Sequence, residues 1–110
     1  MFIQAEIFQS YPLVAAQSTR YGGVSNSPFD SLNMGFSTAD SPENILENRS
    51  RFYKALNVPR DRIVLSKQIH GKEILVATAA GKHEGFDAII TNVIGLYAVI
   101  SVADCTPVLI

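Results

Sequence analysis

The chain has 110 residues, enough for one small domain with its own core. Hydrophobic residues at 47% and charged residues at 17% make a folding composition, which excludes a disordered chain. A net charge of −1 supplies no basic excess for a nucleic-acid backbone or an anionic membrane, so neither is expected as a partner.

Residues 2–8 alternate weakly and predict a first strand; residues 13–18 predict a second, with Pro12 between them. The N-terminus, Met1 to Glu6, lacks the basic-then-apolar run of a signal peptide. From Thr19 to Asp40 the chain is rich in Gly, Ser, Asn and Pro and shows no periodicity, as expected of a long functional loop. A helix is predicted next. Ser41 is a good N-cap, Pro42 suits the first helical position and Glu43 favours the positive end of the dipole. Ile45, Leu46, Phe52, Tyr53 and Leu56 form its apolar face, and Asn57 and Pro59 end it.

Short β-rich runs follow at 63–65, 73–78, 86–91 and 96–102, with Gly81 to Gly85 read as an exposed turn. One helix followed by successive strands predicts an α+β fold with a mixed, mostly antiparallel sheet. The apolar stretch 96–110 is interrupted by Asp104 and is shorter than the roughly 20 residues of a membrane span. The chain stops inside the apolar run Pro107-Val108-Leu109-Ile110, with no cap or polar tail. That predicts a buried strand and an absent C-terminal part, so that 1–110 is the N-terminal part of one domain.

Two residues stand out for chemistry. Cys105, the single cysteine, lies where an apolar run meets Thr106-Pro107. It cannot form an internal disulfide, which fits a reduced, cytoplasmic protein. A lone cysteine is commonly a small apolar core residue, but the adjacent Asp104 needs a partner if it is buried. His70 ends the strand-like run Lys67-Gln68-Ile69 and precedes Gly71, which permits close approach of a ligand. Gln68 shares a strand face with His70 if the segment is extended. A strand-end histidine is commonly solvated. Together, His70 and Cys105 suit either a metal pair or a thiol–imidazole catalytic pair. Catalytic zinc needs three protein ligands; His83, in the predicted turn, is a poor third, and Asp104 would face away from Cys105 in a strand. Arg20, beside Gly22-Gly23, can meet a phosphate or carboxylate, or can be a surface arginine on an ordinary turn. Asn33 can orient a polar ligand or hold its own loop.

Several segments in order resemble one family. Ser18-Thr19-Arg20-Tyr21-Gly22-Gly23-Val24-Ser25, Ser31-Leu32-Asn33-Met34-Gly35, Glu47-Asn48-Arg49, Gln68-Ile69-His70-Gly71 and Ala103-Asp104-Cys105-Thr106-Pro107 resemble successive motifs of the laccase-domain (YfiH-type) family. These proteins are also called multicopper polyphenol oxidoreductase-like proteins. Phe86-Asp87-Ala88 with Thr91 fits the stretch between the last two motifs.

The resemblance implies a layered α/β/β/α fold in the complete protein. It implies zinc held by His70 and Cys105, with the third ligand a histidine in a later HxGWRG motif that this sequence does not contain. It implies a purine nucleoside phosphorylase acting on adenosine, inosine or methylthioadenosine with phosphate, and adenosine deamination besides. Arg20 is then assigned to phosphate or oxyanion binding, and Asn33 to positioning substrate or supporting its loop. A multicopper cluster needs many imidazoles, and the chain has two histidines; polyphenol oxidation is rejected as the main activity, although a Cys/His site can take up copper. Two alternatives stay open: a Cys–His amide hydrolase editing cell-wall precursors, and an inactive fragment or partner-binding module that self-associates through exposed strand edges.

Overall fold

Ser41, Pro42 and Glu43 start the helix where the sequence places it. In the computed structural model, which describes residues 1–110, helix α1 runs Pro42–Ala55. The Ser41 hydroxyl oxygen accepts the Asn44 N–H at 3.2 Å, satisfying one of the first-turn donors. Lys54 lies in the last turn, and Asn57 turns the chain away at φ 56°. The buried stripe is Ile45, Asn48, Phe52 and Tyr53. Leu46, expected on the apolar face, is 47% exposed. The stripe instead runs through Asn48, three residues after Ile45 and four before Phe52, and Asn48 is fully buried.

The chain divides into two compact units, Met1–Asn57 and Val58–Ile110. In the first, β1 (Phe2–Ile3) pairs antiparallel with β2 (Gln17–Ser18). Both are shorter than expected. A 3-10 turn at Glu6–Phe8 ends the extended run, and Ile7, Leu13 and Val14 stay exposed. Phe2 meets the Phe52 ring edge-on at 6.4 Å, and Leu32 is buried in the same unit. The segment from Thr19 to Asp40 contains neither helix nor strand, as its composition predicts.

The second unit holds β3 (Ile63–Lys67), β4 (Ile74–Val76), β5 (Gly81–Glu84), β6 (Ala88–Ile90) and β7 (Tyr97–Val99). They form a three-stranded sheet in the order β5-β3-β7 and a two-stranded sheet β4-β6. Val64, at the centre of the larger sheet, is fully buried. The α+β class and mixed pairing are as expected, but the expected antiparallel majority is corrected: three of the four strand pairs are parallel. The cause is the path of the chain. Successive strands alternate between the two sheets, so each return to a sheet arrives in the same direction.

Gly81–Glu84, read as a turn, is strand β5, with His83 opposite Ser66 and half-buried. The run 96–102 forms a strand only at Tyr97–Val99. Beyond it Asp104 is exposed and so needs no buried partner. Val108 (78%) and Ile110 (110%) are also exposed, in place of the expected buried strand. No helix is long and apolar enough to cross a membrane.

Candidate functional site

Parallel strands deliver their C-terminal ends to one edge of a sheet, and in open parallel sheets that edge is where ligands bind. In the β5-β3-β7 sheet, β3 leads into Gln68-Ile69-His70-Gly71, β5 into Gly85-Phe86-Asp87, and β7 into the segment that ends at Cys105. All three exits are tied together by hydrogen bonds. The Gly85 N–H donates to the Lys67 carbonyl at 3.0 Å, and the Phe86 N–H donates to the Ser66 hydroxyl at 3.1 Å. The Ser101 N–H donates to the Gln68 side-chain oxygen at 2.8 Å, joining the exits of β7 and β3.

The most organised part is the His70 turn. Three consecutive amides converge on one carboxylate: Ile69 at 3.3 Å, His70 at 2.9 Å and Gly71 at 2.9 Å all donate to Asp87. Successive N–H groups of this kind make an anion-binding concavity, here filled by the chain's own side chain. The Gly71 amide first, with those of Ile69 and His70 and then the His70 charge, holds the Asp87 carboxyl below the usual carboxylate range, against a smaller opposing effect of burial. His70 takes φ 58°. That left-handed backbone costs a non-glycine residue about 1–2 kcal/mol and persists only where its surroundings hold it. The His70 side chain is exposed and makes no hydrogen bond, and the Cys105 thiol is free and exposed.

Imidazole nitrogen and thiolate sulfur are both good zinc donors, so the donor types fit the metal. Their number falls short of a complete site. No group of three or more His, Cys, Asp or Glu side chains is assembled to hold a metal ion, and the half-buried His83 on β5 does not complete one.

In the other unit, Arg20 is exposed, and its Nε donates to the Asp30 carbonyl at 3.1 Å. Its two terminal nitrogens have no partner within the chain. The Asn33 side chain is bound at both ends. Its oxygen accepts the Gly35 N–H at 3.1 Å, and its nitrogen donates to Thr38 at 2.8 Å and Asp40 at 3.0 Å.

This loop converges on Asn48. The Asn48 oxygen accepts the Val24 N–H at 2.8 Å, and its amide nitrogen donates to the Ser25 hydroxyl and to the carbonyls of Ser31 and Asn33. Ser25 in turn donates to Asp40 at 2.6 Å. That bond is the largest reason the Asp40 carboxyl is held below its usual range; Asn33, Asn44 and the Ser41 amide add to it against partial burial. Arg49 donates to the Met34 carbonyl at 2.8 Å and lies 4.7 Å from the centre of the Phe36 ring.

Sequence reasoning assigned no role to Asp87, Asn48 or Asp40. For Asn48 a signal existed: a polar residue at the centre of an apolar helical stripe needs internal partners. Asp87 gave no local signal, because its partners lie 16 to 18 residues earlier in the chain.

The family model for multi-copper polyphenol oxidoreductase laccase matches residues 14–110. The chain belongs to this family. It is 42% identical over 100 residues to purine nucleoside phosphorylase YfiH of Escherichia coli, covering 88% of this chain and 40% of that protein. It is 38% identical over 103 residues to a purine nucleoside phosphorylase of Corynebacterium glutamicum, covering 90% of this chain and 42% of that protein. Among solved structures, YlmD from Geobacillus stearothermophilus superposes with a TM-score of 0.79 at 33% identity, over 84% of this chain and 38% of YlmD. The chain thus spans about two fifths of the length of the curated relatives it matches.

Proposed function

We propose that this chain carries the metal-holding edge of a zinc-dependent purine nucleoside phosphorylase, with His70 and Cys105 as two of the ligands. One observation supports the reading above the others. Two exposed donor side chains that make no hydrogen bond in the chain follow adjacent parallel strands, β3 and β7, at the edge where such sheets bind ligands. The names of the relatives supply the reaction class. The third ligand is assigned to a histidine outside these 110 residues.

Zinc, when bound there, supplies Lewis acidity toward a water or substrate oxygen. The chain's own residues do the rest. Arg20, with its terminal nitrogens unpartnered, binds phosphate or a developing oxyanion. Asn33 acts through its loop, since its amide is already bonded within it. The substrates are small molecules, a purine nucleoside (adenosine, inosine or methylthioadenosine) and phosphate, with adenosine deamination as a second activity. A reducing, cytoplasmic compartment keeps the single thiol available.

Elemental analysis of purified protein beside His70→Ala and Cys105→Ala tests the reading. About one zinc per chain, lost in both variants, is expected for a mononuclear site. Zinc content unchanged by either substitution would sink it. Phosphorolysis assays then use a chelator. Loss of activity supports the metal reading. Amide hydrolysis that a chelator leaves intact or raises would instead make Cys105 a nucleophile with His70 as its base.

A further inference from the structure

We propose that Asp87 is a positioning residue for the metal, holding His70 in its ligand conformation before any metal arrives. The inference rests on the reading of His70 as a ligand.

The Asp87 carboxylate collects the amides of Ile69, His70 and Gly71, so the His70 backbone is fixed on both sides of its own Cα. That backbone is left-handed, a conformation histidine does not keep unaided. Nothing in the chain bonds the imidazole itself, so its placement depends on the turn. The turn in turn depends on a residue that lies beyond β4 and β5 in the chain. Groups behind a ligand commonly act by bonding its ring nitrogen; here the carboxylate acts on the ligand's main chain instead. Asparagine cannot replace it. The carboxylate uses one oxygen for Ile69 and Gly71 and the other for His70, and an amide NH2 in either place would face an N–H.

The test is metal affinity of the full chain, with zinc in competition against a chromophoric chelator and cobalt(II) as a spectroscopic probe. Wild type is compared with Asp87→Asn, Asp87→Glu and His70→Ala. Asp87→Asn is expected to weaken zinc binding by about 10- to 100-fold, as loss of a ligand-orienting partner does. Its cobalt complex is expected to keep the thiolate charge-transfer band from Cys105 and change the ligand-field bands. Asp87→Glu, which keeps two acceptor oxygens, is expected to recover part of the affinity. Asp87→Asn binding zinc like wild type, while His70→Ala does not, would overturn the positioning role alone. His70→Ala binding as tightly as wild type would overturn the ligand reading, and the positioning role with it. Hydrogen exchange on metal-free wild type needs no variant to fold. The amides of residues 69–71 are expected to be protected already, and protection appearing only after zinc is added would overturn the inference.

Discussion

Two segments are wrapped around polar side chains, the first around Asn48 and Asp40 and the second around Asp87, and they differ in what they leave free. In the first unit, residues 23–40 close on Asn48 and Asp40, and every polar atom of Asn48 and of the Asn33 side chain is bonded inside the loop. In the second unit, residues 69–71 close on Asp87 through main-chain amides alone, leaving the His70 imidazole exposed and without a hydrogen bond. An anchor bonded to backbone and side chains alike, within a loop whose own polar side chains are used up, builds a scaffold, whereas one that takes up only backbone amides leaves a side chain for chemistry. The first loop should therefore report changes as stability and the second as ligand binding.

The largest effects are expected at the scaffold's centre. Asn48→Ala removes a fully buried amide, leaves the part-buried Val24 N–H and the buried Ser25 hydroxyl without that partner, and should cost on the order of 3 kcal/mol in urea unfolding. Gly23→Ala should cost about as much, because a Cβ there would run into the Ser31 carbonyl and the Leu32 backbone, neither of which can swing away. A loss below about 0.5 kcal/mol, the scale of an ordinary surface substitution, in both variants would erase the distinction between the two segments.

Smaller changes sharpen it. Arg49→Ala removes the bond to the Met34 carbonyl and the contact with Phe36, and should cost about 1 kcal/mol at the unfolding midpoint. Arg49→Lys should recover little, since the Nε geometry is lost. Asp40 gives the pH signature. Its folded carboxyl titrates below the ordinary 3.8, so its contribution is complete above that pH and is lost as pH falls through the lower folded value. Urea midpoints followed from about pH 5 down to 2 should fall less steeply in Asp40→Asn than in wild type.

These residues also show what the sequence made legible. The helix start at Ser41-Pro42-Glu43 was readable because capping is local. The lengths and directions of the strands were not. Pairing of β3 with β5 and β7 is decided by segments 14 or more residues apart, and short apolar runs carry no direction of their own. The candidate site divides the same way. His70 and Cys105 were singled out by residue type and motif, but the fact that their strands are parallel neighbours is tertiary. Asp87 sits in a matched stretch, and only the folded turn shows three amides directed at it.

The smallest expected effect is the most pointed. Gly71 was read as the residue that lets a ligand approach, and its counterpart Gly23 cannot carry a side chain at all. Gly71 is different: its backbone is not left-handed, and an added Cβ would lie 3.5 Å from the Asp87 carboxylate and from Ile69, in ordinary contact. Gly71→Ala should therefore fold with stability within about 0.5 kcal/mol of wild type. If it also binds zinc like wild type, the strain of the turn resides at His70 and the carboxylate of Asp87 is what holds it. If Gly71→Ala folds normally but loses zinc, the small residue is needed for space around the ligand, and the approach of a bound group, rather than the conformation of the turn, is the reason glycine stands there.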